Sequence, residues 1–151
     1  MTTESTPAIA NRISELFKRL RAAGQRITPQ RLAIIEMVFC SPSHPTAKQV
    51  HEALLGRYPT MSLMTVYKTL HMLQKLGEVG VVAAESDAVH YDGLRSEPHA
   101  HLVCRRCGAI TDVADDVELD CLAAARRLGW QVEGWRLELA GLCPQCRHRE
   151  E

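Results

Sequence analysis

The chain has 151 residues, 46% of them hydrophobic, with six cysteines and 18 Lys/Arg against 18 Asp/Glu. That is room for one or two small domains, and no apolar run approaches the roughly 18 residues of a membrane span, so a soluble, cytoplasmic protein without a secretory leader is expected. The zero net charge hides an asymmetry: residues 9–77 hold ten Lys/Arg against Glu15, Glu36 and Glu52, whereas 78–151 hold eight against fourteen acids, which predicts a basic, anion-binding module followed by a metal-binding one.

The predicted elements begin with a helix over 9–23, carrying Ile13, Leu16, Phe17 and Leu20 at helical spacing and ended by Gly24. Thr28 caps a second helix with Pro29 at its first position, running through Leu32, Ile35, Val38 and Phe39. The run Ser41-Pro42-Ser43-His44-Pro45 breaks it. Thr46 then caps a short helix with Val50, Ala53 and Leu54, and Ser62 caps a longer one ending near Gly77. In that last helix Val66, Leu70, Leu73 and Leu76 form an inward stripe, and Thr65, Tyr67, Lys68, His71 and Lys75 lie on other faces. Two strands, 79–84 and 88–91, turn at 85–87. Helix-turn-helix followed by a β-hairpin is the winged-helix plan, which presents its second helix to a DNA major groove. There Lys68 and Lys75 can neutralise phosphates and Tyr67 can contact bases or backbone. The alternative is a small helical domain with a solvated basic face.

Residues 93–98 read as a hinge. Strands are expected at 101–104 and 109–113 around a turn. A helix over 117–128 follows, capped by Asp115 or Asp116, with Val117, Cys121, Ala125 and Leu128 on one side. The alternation of Trp130, Val132, Trp135, Leu137 and Leu139 predicts a strand over 130–139, with a bulge at Gly134. At a sheet edge such a strand invites pairing with a second copy, so a homodimer is expected. The fold class is therefore α+β: a winged-helix DNA-binding domain at 1–92, a hinge at 93–98 and an α/β dimerisation and metal-binding domain at 99–151.

Two Cys-x-x-Cys pairs, Cys104/Cys107 and Cys143/Cys146, are separated by 35 residues. Four thiolates so arranged surround one zinc tetrahedrally and leave no position open for chemistry. A disulfide framework is the alternative, opposed by the absent leader and by two further cysteines. Those two, Cys40 and Cys121, have no neighbouring ligand and are expected to be ordinary, partly buried thiols. His99 and His101 fall on one side of an extended chain. With Asp92, Asp112 and His44 they offer imidazole and carboxylate donors that suit Fe(II), Mn(II) or Zn(II).

Five segments in order carry a resemblance over most of the chain: Gly24-Gln25-Arg26-Ile27-Thr28-Pro29-Gln30-Arg31, His44-Pro45-Thr46-Ala47, Ser62-Leu63-Met64-Thr65-Val66-Tyr67-Lys68-Thr69-Leu70, His99-Ala100-His101-Leu102-Val103-Cys104 and Gly141-Leu142-Cys143-Pro144-Gln145-Cys146. Together they resemble the Fur family of metal-sensing repressors. The resemblance implies a dimeric winged-helix repressor of double-stranded operator DNA, not an enzyme, with a structural four-cysteine zinc and a regulatory Fe(II) or Mn(II) held by His44, Asp92, His99, His101 and Asp112. It is strongest to the peroxide-sensing PerR branch, in which an aspartate at the position of Asp112 accompanies peroxide sensitivity and oxidation falls on the residues matching His44 and His99. The zinc-sensing branch usually has a cysteine at the position of Asp92, and ferric-uptake regulators often have a histidine at that of Trp135. Arg26, Thr65, Tyr67 and Lys68 are the expected DNA-binding residues. A ferric-uptake or zinc-uptake regulator is the alternative within the family, and a zinc-dependent enzyme the alternative outside it.

Overall fold

A computed structural model of the chain describes residues 6–83, 88–95, 97–113 and 120–148, in two compact units, Met1–Ser96 and Glu97–Glu151. In the first, α1 (Thr6–Ala22), α2 (Pro29–Phe39), α3 (Ala47–Leu54) and α4 (Leu63–Lys75) precede a hairpin of β1 (Gly80–Ala83) and β2 (Val89–Asp92). The predicted turn at 85–87 lies outside the described residues.

Local chemistry starts these helices where the sequence places them. Thr28 accepts the Arg31 N–H at 3.2 Å ahead of Pro29. Thr46 and Gln49 form a reciprocal capping box, and Ser62 accepts the Thr65 N–H at 3.2 Å. Helix α4 stops at Gly77, whose φ of +73° a residue with a Cβ seldom adopts. Its N–H reaches the Gln74 carbonyl while that of Glu78 reaches the Leu73 carbonyl, each at 3.0 Å, a pairing that satisfies the last carbonyls of the helix. The α-helical stripes meet in one core: Leu16, Ile34, Ile35, Val38, Phe39, Val50, Val66, Leu70 and Leu73 are all buried. Burying each such side chain stabilises the unit by about 1.5–3 kcal/mol. This leaves Tyr67, Lys68, His71 and Lys75 of α4 in solvent, and α3–α4 followed by β1–β2 is a winged helix.

The second unit is a three-stranded sheet, order β4-β3-β5, with two short helices. β3 (Ala100–Cys104) runs antiparallel to β4 (Ile110–Asp112) and parallel to β5 (Leu137–Gly141), with α5 (Asp120–Arg127) between the last two in sequence and α6 (Pro144–Arg147) at the end. Three expectations need correction. The strand predicted over 130–139 is regular only from Leu137, because 130–136 find no strand to pair with among the described residues, and alternation without a partner makes no ladder. The inward stripe predicted on the helix over 117–128 is not buried: no described side chain of α5 is, and Leu128 is 77% exposed. Its predicted start and cap at 115–119 lie outside the described residues. Finally, Cys40 and Cys121 are exposed, since Cys40 stands just past the last buried turn of α2 and Cys121 shares the exposure of α5.

Candidate metal centres and nucleic-acid interface

The cysteine site is assembled by strand register. Parallel pairing of β3 with β5 sets Cys104 opposite Gly141, so that Cys143, two residues on, arrives beside it and α6 carries Cys146 back. The Cys143 N–H points at Cys104 Sγ at 3.3 Å, and all four sulfurs lie within 4.8 Å of one another. Cys107 Sγ and Cys143 Sγ are 3.8 Å apart. A tetrahedron with Zn–S bonds near 2.3 Å has edges of about 3.8 Å, so the spacing fits zinc. Arg106 braces the site from outside, donating to the Cys146 carbonyl at 2.8 Å.

The thiols are not equivalent. Backbone N–H groups of Cys107 and then Cys143, aimed at its sulfur, lower the Cys104 thiol to about 6, whereas burial pushes Cys146 up to about 12. In the metal-free unit, Cys104 thus favours the fold above its unfolded value of about 8.5, and this contribution is lost as pH falls through about 6. The raised Cys146 acts in the opposite sense, favouring the fold below its unfolded value and losing that effect as pH rises through about 12. Zinc binding must displace protons, Cys146's above all. Zinc affinity, measured by chelator competition, is expected to rise steeply between about pH 5 and about pH 8 with release of more than one proton. A flat profile would exclude thiolate ligation.

The nitrogen and oxygen donors fall in both units. In the second, β3–β4 register sets His101 opposite Asp112. His101 Nε2 is 3.5 Å and His99 Nε2 3.4 Å from Asp112 Oδ1, and the two rings are 4.4 Å apart. His99 donates through Nδ1 to the Glu97 carbonyl at 2.9 Å, which leaves Nε2 as the ring nitrogen on the Asp112 side. Metal-binding histidines are usually oriented this way. In the first unit, His44 and Asp92 are both buried, with Nε2 and Oδ1 3.8 Å apart. Among the described residues His44 is the one non-glycine with positive φ, 49°. Such a conformation costs about 1–3 kcal/mol and persists only where neighbours impose it. Here His90 Nδ1 donates to the His44 carbonyl at 2.7 Å, the Tyr91 N–H donates to that of Pro45 at 3.0 Å, and Thr46 bridges to His90. His90 was not among the predicted site residues; only the fold sets it against His44.

Of the residues predicted to contact DNA, Tyr67 and Lys68 are exposed on α4 and Arg26 on the segment before α2. The Thr65 hydroxyl stands 2.9 Å from that of Ser62 at the start of α4. A groove between α1, this segment and α4 is edged by Arg19, Arg31, Lys68, His71 and Lys75, and Arg31 donates to the Arg26 carbonyl at 2.6 Å. The groove adds Arg19 and Arg31 to the predicted cations, and His71 lines it beside them.

A winged helix joined to a zinc-type four-cysteine unit defines a class of metal-dependent DNA-binding regulators. The model of the ferric uptake regulator family matches residues 22–140, and the chain belongs to that family, whose members are transcriptional regulators and not enzymes. It is 37% identical over 145 residues to the peroxide operon regulator of Bacillus subtilis, covering 93% of this chain and 97% of that one. The fold is also that of the Helicobacter pylori ferric uptake regulator, with a TM-score of 0.81 at 19% identity over 97% of each chain. PerR from Streptococcus pyogenes, a structure described as a basis for peroxide sensing and gene regulation, is 31% identical with a TM-score of 0.50, covering 87% of this chain and 90% of that one.

Proposed function

We propose that this regulator is a cytoplasmic homodimeric repressor that holds operator DNA when its regulatory site carries Fe(II) or Mn(II), and releases it when peroxide oxidises a ligand of that site. The observation that carries the reading is the His99–His101–Asp112 cluster, made of nitrogen and oxygen donors alone in a chain whose paired thiols gather elsewhere. His44 and Asp92 complete the proposed ligand set, as the family resemblance implies, and the four-cysteine site takes a structural zinc. Similarity to a peroxide operon regulator and to a peroxide-sensing PerR supports the choice of signal. The exposed Leu128, Trp130 and Leu139 of the second unit support dimerisation, because large apolar side chains gain by being covered by a partner. Arg26, Thr65, Tyr67 and Lys68 contact the operator, and no helix among the described residues is long and apolar enough to cross a membrane.

Iron(II) supplies the one-electron chemistry that turns peroxide into an oxidant beside its ligands; manganese(II) does not. The ring carbon of His44 or His99 gains one oxygen atom from peroxide, the other leaves as water, and the ring loses its donor role. Operator binding by iron- and manganese-loaded protein, before and after mild peroxide, is the test, read by fluorescence anisotropy and peptide mass spectrometry. The expected result is loss of binding, with one added oxygen on His44 or His99, in the iron form alone. Binding that survives in the iron form identifies an iron- or zinc-uptake regulator instead, and loss with oxidised Cys104 or Cys107 and intact histidines moves the sensing to the zinc thiolates.

A further inference from the structure

Within the first unit, one guanidinium ties together two segments that the sequence keeps far apart. Arg12 of α1 is 14% exposed and lies over the Phe39 ring, 4.0 Å from its centroid. Its Nε is 3.3 Å from Glu78 Oε2, and Nη2 donates to the Glu78 carbonyl. Nη1, pointing the other way, donates to the Gly93 carbonyl at 2.6 Å and approaches that of Leu94 at 3.5 Å.

Each end of this clamp belongs to a functional element. Glu78 is the residue that closes α4, its N–H bonded to the Leu73 carbonyl, and Arg19 pairs with its second carboxylate oxygen. Gly93 and Leu94 form the turn after Asp92, where the Leu94 N–H donates to Asp92 Oδ1 at 3.1 Å. That turn has little room to move. A Cβ on Gly93 would stand 2.6–2.9 Å from Val38 side-chain and backbone atoms, so Gly93 is packed directly against α2. The Asp92 turn is thus joined to Arg12 through two carbonyls, and Arg12 to the end of α4 through Glu78.

We propose that Arg12 is a positioning residue that couples the Asp92 turn to the DNA-reading helix. The inference rests on the proposed metal-dependent DNA binding and adds to it the element that transmits the metal's effect. A buried charge must be paired and hydrogen-bonded, and Arg12 meets this with nitrogens that point to different segments. A lysine keeps the charge but gathers its donors on one atom, so it cannot span both.

The test compares wild type with Arg12→Lys by anisotropy on a duplex selected with the wild-type protein, with and without Mn(II). Arg12→Lys is expected to fold, to match wild type without Mn(II), and to lose about fivefold or more of the Mn(II) stimulation. By reciprocity, the tightening of Mn(II) binding caused by the duplex must shrink by the same factor, whereas a merely structural defect weakens duplex binding alike with and without Mn(II). Where Arg12→Lys fails to fold, Glu78→Gln, which removes the charge facing Nε and keeps the carbonyl contact, is expected to lose part of the stimulation and none of the metal-free affinity. Unchanged stimulation, or equal weakening with and without Mn(II), would overturn the coupling role. A wild-type protein that Mn(II) does not stimulate would overturn the proposed function itself, before any variant is made.

Discussion

Replacing Cys104 by serine is expected to cost the protein its zinc and its second unit the folded state. Among the described residues of that unit, Ala100, His101, Val103, Cys104 and Cys146 are buried, and two of these five are metal-site cysteines. Meanwhile Leu102, Leu128, Trp130, Val132, Leu139 and Leu142 are exposed. A unit of this size with so small an apolar core needs a metal or a partner to fold. Structural zinc contributes roughly 10–16 kcal/mol of apparent binding free energy at neutral pH, as much as the whole stability of a typical domain, about 5–15 kcal/mol. Serine keeps the shape of Cys104 but offers no thiolate where backbone N–H groups already favour the ionised form. Metal analysis should find no zinc, sedimentation should find monomer or aggregate, and far-UV circular dichroism should retain the signal of α1–α4. A stable, zinc-free dimer of this variant would sink the reading.

His44→Ala is expected to do the reverse, sparing the fold and removing the switch. His44 is buried beside Asp92 and is not a member of the apolar cluster that holds the first unit together, and the four zinc-site cysteines are all in the second unit. The variant should therefore keep its zinc and its dimer. Metal-stimulated operator binding should fall to the metal-free level, a loss of about 5–150-fold, the range of ordinary allosteric coupling. A metal shifts a conformational equilibrium only through its differential affinity for the two states, and in the proposed ligand set the lost imidazole is part of that difference. Because φ at His44 is positive, His44→Gly serves as the control: it relieves backbone strain while still lacking the ligand, and it should behave as His44→Ala does. Wild-type stimulation in either variant would remove His44 from the regulatory site.

Much of the first unit was legible because its signals act within a turn of helix. Thr28, Thr46 and Ser62 each satisfy an N–H group three positions on, so their side chains mark helix starts whatever the rest of the chain does. The inward stripe Val66, Leu70 and Leu73 is legible for the same reason, since helical geometry alone puts those positions on one face. The thiol chemistry of each Cys-x-x-Cys pair is equally local. Alternation misled over 130–136, where a period of two states which side each residue takes and says nothing of whether a neighbouring strand exists.

What the tertiary structure alone decided is which distant segments meet. The β3–β5 register brings one cysteine pair to the other, and the β3–β4 register sets His101 across from Asp112. The backbone of His44 is held left-handed by contacts from β2. Arg12 left no trace in the sequence as a site residue, because its hydrogen-bond partners lie 66 to 82 positions away. Caps, stripes and knuckles are written in neighbouring residues and read directly. Register, buried ion pairs and imposed backbone strain arise only when chain closure pits the loss of conformational freedom against burial over the whole unit.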